Sequence, residues 1–338
     1  MLVPIDLNQG IKKSEVEIED LSFSSLGLRE GDIEEFLRLN IDLLFGDNES
    51  LLVIGQQVRN QQGGRSDLVA LDENGNLVLI EIKRDLQDIR NRKEPFEFQA
   101  IRYAANYAKI KDVDDLVDNL FVPYIERHRN EYEESVLTTS EMARRRITSF
   151  LAKNNAVKTF NRKQRIVLVA AEFDAQTLSA CAWLINNHVD INCFKIHPVK
   201  IGEQYLLSVN PVLPPTPIED FYVEIFDEKS RATSRVSPDE TGMSRTYLPR
   251  MPKLFEWGIV QKDDLLTIKD FEDSEAKALN PKEVEFNGER MSYNQWGQKV
   301  TGWSSICIYE WAKSQRLDDL LDKLRREKMA ELSREGSE

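Results

Sequence analysis

Cysteine is scarce in this chain, and what there is lies far apart. Cys181, Cys193 and Cys307 show no CxxC spacing, which excludes a disulfide framework and a cysteine zinc site and fits a reducing compartment. Histidine is as rare: His128, His188 and His197 have no ligand spacing. No apolar run approaches the ~20 residues of a membrane span. The acidic first segment lacks the basic start and apolar stretch of a signal peptide. A soluble, cytoplasmic protein without a membrane partner is expected. There is no glycine-rich phosphate loop followed by Lys-Ser/Thr and no GxSxG elbow. Positive charge is short as well: 45 Lys and Arg against 58 Asp and Glu leave a formal net charge of -13. Bulk attraction to nucleic acid or an anionic surface is not expected. Any phosphate partner must be held locally, by a metal or a confined basic strip.

What is present is apolar content of 41% over 338 residues, enough for about two domains of ordinary size. Residues 1–27 read as an N-terminal arm. Residues 28–45 carry Ile33, Phe36, Leu37 and Ile41 at helical spacing. Residues 51–58 read as a strand and 63–85 as a hairpin. Residues 95–110 read as a helix with Pro95 in its first turn and Phe98, Ile101, Ala105 and Ala108 on its apolar face. Residues 112–153 look helical and charged. "RIVLVAAEF" (165–173) is a continuous apolar run, the mark of a strand buried on both faces; a helix and two strands follow. This order predicts an α/β fold over 28–212, a mixed central sheet flanked by helices. A proline-rich and then polar stretch, 213–246, reads as a linker. Residues 247–314 read as a small α+β C-terminal domain. Residues 315–338 read as a charged helical tail, with Leu317, Leu320, Leu321 and Leu324 on one side.

The chemistry concentrates in "GGRSDLVALDENGNLVLIEIKRD" (63–85). Along its second strand Glu81 and Lys83 share one face, and Ile80 and Ile82 the other. A two-residue loop at Asn74-Gly75 would pair Asp67 with Ile82. A three-residue loop of Glu73, Asn74 and Gly75, with Gly75 left-handed, pairs Asp67 with Glu81 instead. A one-residue slip swaps faces, so the three-residue loop is predicted. Two carboxylates at ~5 Å repel unless a cation or a shared proton lies between them. Oxygen ligands without His or Cys favour a hard ion, Mg²⁺ or Mn²⁺. Lys83 on the same face makes sense if an anion also binds there, such as a metal-ligated phosphodiester. The plainer alternative is a salt bridge on a half-exposed hairpin.

Asp67 followed by Glu81-Ile82-Lys83 after a short hairpin resembles the PD-(D/E)XK nuclease superfamily, although Ser66 stands where that motif usually has proline. Glu30 and Glu34, four apart on one helix face, resemble the acidic first helix of that fold, and either one matches its metal-side glutamate. Gln99 and Tyr103 resemble the QxxxY element of RecB-like and NucS-like members. The strand-helix-strand run from 165 to 209 resembles the end of a NucS-like domain. The resemblance covers roughly 28–212. It implies a restriction-endonuclease-like fold and a Mg²⁺- or Mn²⁺-dependent DNA endonuclease. In that reading Asp67, Glu81 and Glu30 or Glu34 hold the metal, Lys83 acts on water and phosphate, and Gln99 and Tyr103 orient the backbone. Without it, Gln99 and Tyr103 read equally well as a helix packing its tyrosine inward.

Residues 142–165 hold eight Lys and Arg and no acid. Within this strip Lys158, Arg162 and Lys163 are candidate phosphate contacts, as is Arg65 in the hairpin. The aromatic-rich segments 254–268 and 284–312, through "WGIVQKDDLL", "FNGERMS" and "VTGWSSICIYEW", resemble the small RAMA-type domains appended to some restriction and adenine-methylase systems, which implies DNA contact and reading of modified bases. Trp296, Trp303, Tyr309 and Trp311 offer stacking surface or else build a core; Trp303, between Gly302 and Ser304, is the one expected to be exposed. The leading expectation is a metal-dependent endonuclease of restriction, defence or DNA repair, with a C-terminal target-reading domain. The alternatives are a non-catalytic DNA-binding or regulatory protein on the same scaffold, and an adaptor whose acidic surface meets a basic partner. The tail helix suits an adaptor or a homodimer.

Overall fold

The computed structural model describes residues 5–6, 11–59, 64–91, 94–132, 136–215 and 248–335. Most of the expected linker, and part of the expected arm, lie outside the described residues. The chain divides into two compact units, Met1–Leu44 with Leu51–Pro215, and Phe45–Ser50 with Thr216–Glu338.

The first unit is built on a seven-stranded sheet. Its strands are β1 (Ile18–Asp20), β2 (Leu51–Arg59), β3 (Arg65–Asp72), β4 (Leu77–Lys83), β5 (Gln164–Ala170), β6 (Ile191–Ile201) and β7 (Gln204–Leu213). Their order is β1-β6-β5-β4-β3-β2, with β7 also paired to β6. The central β4, β5 and β6 are parallel and the other pairings antiparallel. The main helices are α1 (Glu30–Leu39), α2 (Phe96–Tyr107), α3 (Thr139–Lys153) and α4 (Ala175–Asn186). This is a mixed α/β architecture with its central sheet flanked by helices. Every residue of β4 is buried, as its apolar run requires.

The β3–β4 turn sets the register. Gly75 has φ +81, and a Cβ there would lie 2.9 Å from the Ala156 carbonyl oxygen, so glycine is needed. The Asp72 amide donates to the Asn76 carbonyl at 3.0 Å. Three loop residues thus separate the strands, and Leu68 pairs with Ile80. One step further puts Asp67 opposite Glu81, the pairing the three-residue loop predicts. A β-bulge between Val53 and Gly55 shifts β2 by one residue against β3. Pairs Gln56–Leu68 and Val58–Ser66 follow, so Gln57 faces Asp67.

Two helix faces differ from the sequence reading. In α2 the buried residues are Phe96, Ala100, Tyr103, Ala104 and Tyr107, whereas Phe98 is 61% exposed. The two tyrosines win because their hydroxyls find partners: Tyr107 with Ser66 Oγ at 2.5 Å, Tyr103 with Gln99 Nε2 at 3.4 Å. In α1 Phe36 is exposed, and the buried set is Ile33, Glu34, Leu37 and Arg38.

The second unit carries a six-stranded antiparallel sheet. Its strands are β8 (Leu265–Ile268), β9 (Ala276–Asn280), β10 (Glu283–Phe286), β11 (Glu289–Ser292), β12 (Ala312–Ser314) and β13 (Asp319–Leu320). The β10–β11 hairpin turns at Asn287-Gly288, both at positive φ, the two-residue turn that dipeptide favours. α5 (Tyr293–Thr301) starts with a capping box from Ser292 and Gln295. The tail helix α6 is Leu321–Glu335; Leu317 and Leu320 precede it in the β12–β13 hairpin. α6 is anchored by Arg325, only 1% exposed, whose guanidinium stacks 4.0 Å from the Tyr309 ring.

Trp303 requires a correction. It was expected to be exposed, but it is buried, 6% exposed, and meets Trp311 edge-on at 4.9 Å and Phe271 at 6.1 Å. Three large rings pack better on each other than on water, so Trp303 presents no stacking face.

Candidate active site

One stripe of α1 supplies the site. Glu30, Glu34 and Arg38 are spaced four apart and lie on one side of the helix. Glu30 Oε1 accepts from Lys83 Nζ at 2.7 Å. Glu34 Oε2 accepts from Gln57 Nε2 at 2.5 Å. Arg38 belongs to a separate cluster, described below.

The hairpin contributes Asp67, Glu81 and Lys83. Asp67 is 5% exposed; its Oδ2 accepts from the Ile82 amide at 2.7 Å and lies 3.9 Å from Lys83 Nζ. Lys83 Nζ also donates to the Ile82 carbonyl at 2.6 Å and sits 5.8 Å from the Phe96 ring centre. Glu81 is fully buried, and neither carboxylate oxygen finds a hydrogen-bond partner among the described residues; Glu34 Oε1 is in the same condition. Such groups are rare in folded proteins and call for an explanation.

The electrostatics follow from that burial. Desolvation pushes Glu34 up to about 7 against hydrogen bonding from Gln57. Desolvation also lifts Asp67 to about 6, opposed by Lys83 and the Ile82 amide. Glu81 is raised well above its ordinary value, first by burial and then by Asp67. Lys83 is raised despite its burial, by Asp67 and Glu30. Asp67, Glu30 and Glu81 thus act on one ammonium, Glu34 lies within reach of Asp67 and Glu30, and the buried carboxyls resist losing their protons without another cation.

An open cleft next to Lys83 is lined by Glu30, Arg84, Asp88, Asn91 and Gln99. Gln99 reaches this cleft from α2, while Tyr103 is 4% exposed, with its hydroxyl toward Gln99. A second groove is lined by Gln56, Gln57, Arg59, Arg65, Pro123 and Arg127, among others. Arg65 is therefore joined by two exposed arginines that sequence spacing did not single out. Arg59 is its cross-strand partner, whereas Arg127 comes from the helix Val122–Arg127, far off in sequence. Lys158, Arg162 and Lys163 are exposed but lie elsewhere. Their loop packs on the β3–β4 turn through Thr159 Oγ1 to the Asn74 carbonyl at 2.7 Å and the Asn161 amide to the Gly75 carbonyl at 2.7 Å. From Leu77 at that turn to Lys83 the strand runs about 20 Å. The structure does not bring this strip to the acids.

Gln57 and Tyr107 escaped the sequence reading, and Ser66 entered it only as the residue standing where the motif usually has proline. Tyr107 is buried and its hydroxyl is raised to about 12, mainly by desolvation, with Glu81 adding to it. The Ser66–Tyr107 hydrogen bond is one that a proline at position 66 would not make. The only signal for Gln57 is a polar Gln56-Gln57 pair closing an otherwise apolar strand.

A different trio brings its potential ligand atoms within 4.8 Å of one another: Glu35, His128 and Glu131. There the cation position is filled by Arg38, whose Nη2 lies 2.7 Å from Glu35 and 2.5 Å from Glu131. Among the described residues, no helix is long and apolar enough to cross a membrane.

No family model and no curated protein matches the chain. Among solved structures it is similar to an EndoMS-dsDNA2 complex, at 14% identity and a TM-score of 0.24, over 55% of this chain. The match spans 50% of that protein's chain, about half its length.

Proposed function

We propose that the first unit is a metal-dependent DNA nuclease of the PD-(D/E)XK kind, serving restriction, defence or repair. The observation that carries the reading is Glu81: a fully buried carboxyl whose two oxygens find no hydrogen-bond partner among the described residues, opposite Asp67 and on the face of Lys83. A buried acid keeps such a place when a cation completes it. Glu81, Asp67 and Glu34 offer oxygen donors alone, which suits Mg²⁺ or Mn²⁺. Bound there, the ion would polarise a phosphate oxygen and acidify a water.

The chain's own residues supply the rest. Lys83, at the cleft wall, donates to a phosphate oxygen and offsets charge that develops on it. Glu30, with a side chain 38% exposed, holds that ammonium in place until an anion takes it over. Gln99 lines the cleft as a donor to the DNA backbone, and Tyr103 orients Gln99. Arg59, Arg65 and Arg127 supply local positive charge that the net balance lacks. The second unit is proposed to select the target. The test is cleavage of single-stranded, duplex, branched, mismatched and methylated DNA with Mg²⁺ or Mn²⁺, with Lys83→Ala as control. Cleavage that needs the ion and Lys83 supports the reading; unchanged cleavage by Lys83→Ala rejects it.

A further inference from the structure

Gln57 stands out on three counts. Its φ is +51 in the middle of a paired strand, a conformation that costs a non-glycine residue about 1–2 kcal/mol. The bulge at Gly55 puts it across from Asp67, and bulges beside functional sites often re-aim a side chain in this way. Its Nε2 then donates to two carboxylates at once, Glu34 Oε2 at 2.5 Å and Asp67 Oδ1 at 3.2 Å. The amide thus stands between two buried carboxyl groups, a place that a cation could also take. Beyond it lie three buried acid oxygens with no hydrogen-bond partner among the described residues, Glu34 Oε1 and both oxygens of Glu81.

We propose that Gln57 is a placeholder for the divalent cation: its amide spans Glu34 and Asp67 in the metal-free protein and leaves when the ion binds. This rests on the metal reading above and extends it to a positioning residue that sets ion affinity. The side chain has somewhere to go, because Gln57 also lines the groove of Arg59, Arg65 and Arg127. Each ion bound must displace two hydrogen bonds to charged acceptors, and a competitor of that kind lowers apparent affinity. Left-handed backbone at Gln57 holds the amide in position, so the competition is built into the strand.

The experiment is a Mn²⁺ titration of the metal-free full chain, with unbound Mn²⁺ read by electron paramagnetic resonance, so that no activity is needed. Wild type, Gln57→Ala, Gln57→Gly and Glu81→Gln are compared. Gln57→Gly suits the positive φ and guards against a folding defect in the alanine variant. The expected result is Mn²⁺ bound on the order of tenfold more tightly by both Gln57 variants and a site lost in Glu81→Gln. Unchanged or weaker binding in the Gln57 variants, with the site still lost in Glu81→Gln, overturns the placeholder role and leaves the metal site standing. A wild type with no Mn²⁺ site that depends on Glu81 overturns both.

Discussion

Glu34 and Glu35 are neighbours on one helix and are shifted in opposite directions. Burial lifts Glu34 to about 7. Hydrogen bonding from Arg38 holds Glu35 below its ordinary value. The cluster around Glu35 is complete: Arg38 bridges Glu35 and Glu131 and donates to the Tyr124 hydroxyl at 3.0 Å, and Gln56 Nε2 donates to Glu35 at 3.1 Å. In the cluster around Glu34, Lys83 meets Glu30 and Asp67, yet three buried acid oxygens lack hydrogen-bond partners among the described residues. The same helix therefore serves one cluster whose acids are matched by donors and one in which, among the described residues, buried acid oxygens are not. Acidic density does not separate the two; the unmatched oxygens do.

The strongest way to break this contrast is to mutate the incomplete cluster. Lys83→Ala and Glu81→Gln are each expected to slow metal-dependent DNA cleavage by about 10³-fold, with Glu81→Gln melting no lower than wild type at pH 8. A variant that unfolds while its remaining folded fraction still cuts would make Glu81 structural. The complete cluster should behave in reverse. Arg38→Ala is expected to lower unfolding free energy by about 2 kcal/mol, below the ~3–5 of a fully buried pair because Glu35 and Glu131 reach water. Urea denaturation measures it, and cleavage per folded molecule should hold. Next comes the DNA side. Replacing Arg59, Arg65 and Arg127 by Ala should flatten the salt dependence of DNA binding by about 0.9 for each phosphate that is no longer neutralised. The Lys158, Arg162 and Lys163 triple should flatten it less, since that loop sits at the other end of β4; equal slopes would run the DNA along the whole sheet.

The smallest effect is on pH. Asp67 and Glu34 are raised from 3.8 and 4.5 to about 6 and about 7. Between those limits the folded state holds more protons than the unfolded one, so stability falls as pH rises through the window. Glu35, being lowered, has the opposite sign: its contribution is present above its ordinary 4.5 and is lost on acidification. The metal-free chain should lose a few degrees in Tm between pH 5 and pH 8, and Mg²⁺ should restore them chiefly at pH 8. A Tm that rises over that range without metal would contradict the assigned burial of these acids.

How much of this was legible before the structure depends on how local the determinant is. The register of β3 and β4 is local, since only glycine tolerates the turn position and side-chain alternation does the rest. The order of strands and helices followed from apolar runs for the same reason. The faces of α1 and α2 did not, because buried polar groups with partners displaced the exposed Phe36 and Phe98. Arg127 joins the groove from about seventy positions away, and no spacing encodes that. Gln57 depends on a bulge and a left-handed backbone that its residue type disfavours. Trp303 misled because Gly302 and Ser304 suggested a loop tip, while Trp311 and Phe271, distant in sequence, close over it.

The bulge at Gly55 has one further result. It sends two adjacent amides of one strand to two adjacent acids of one helix, Gln57 to Glu34 and Gln56 to Glu35, and Gln56 also meets the His128 ring at 2.8 Å. The chain has three imidazoles, so their proton signals form a short and readable spectrum. One of those signals comes from a ring bonded to the residue next to Gln57, which gives the molecule a built-in gauge of whether that strand has moved.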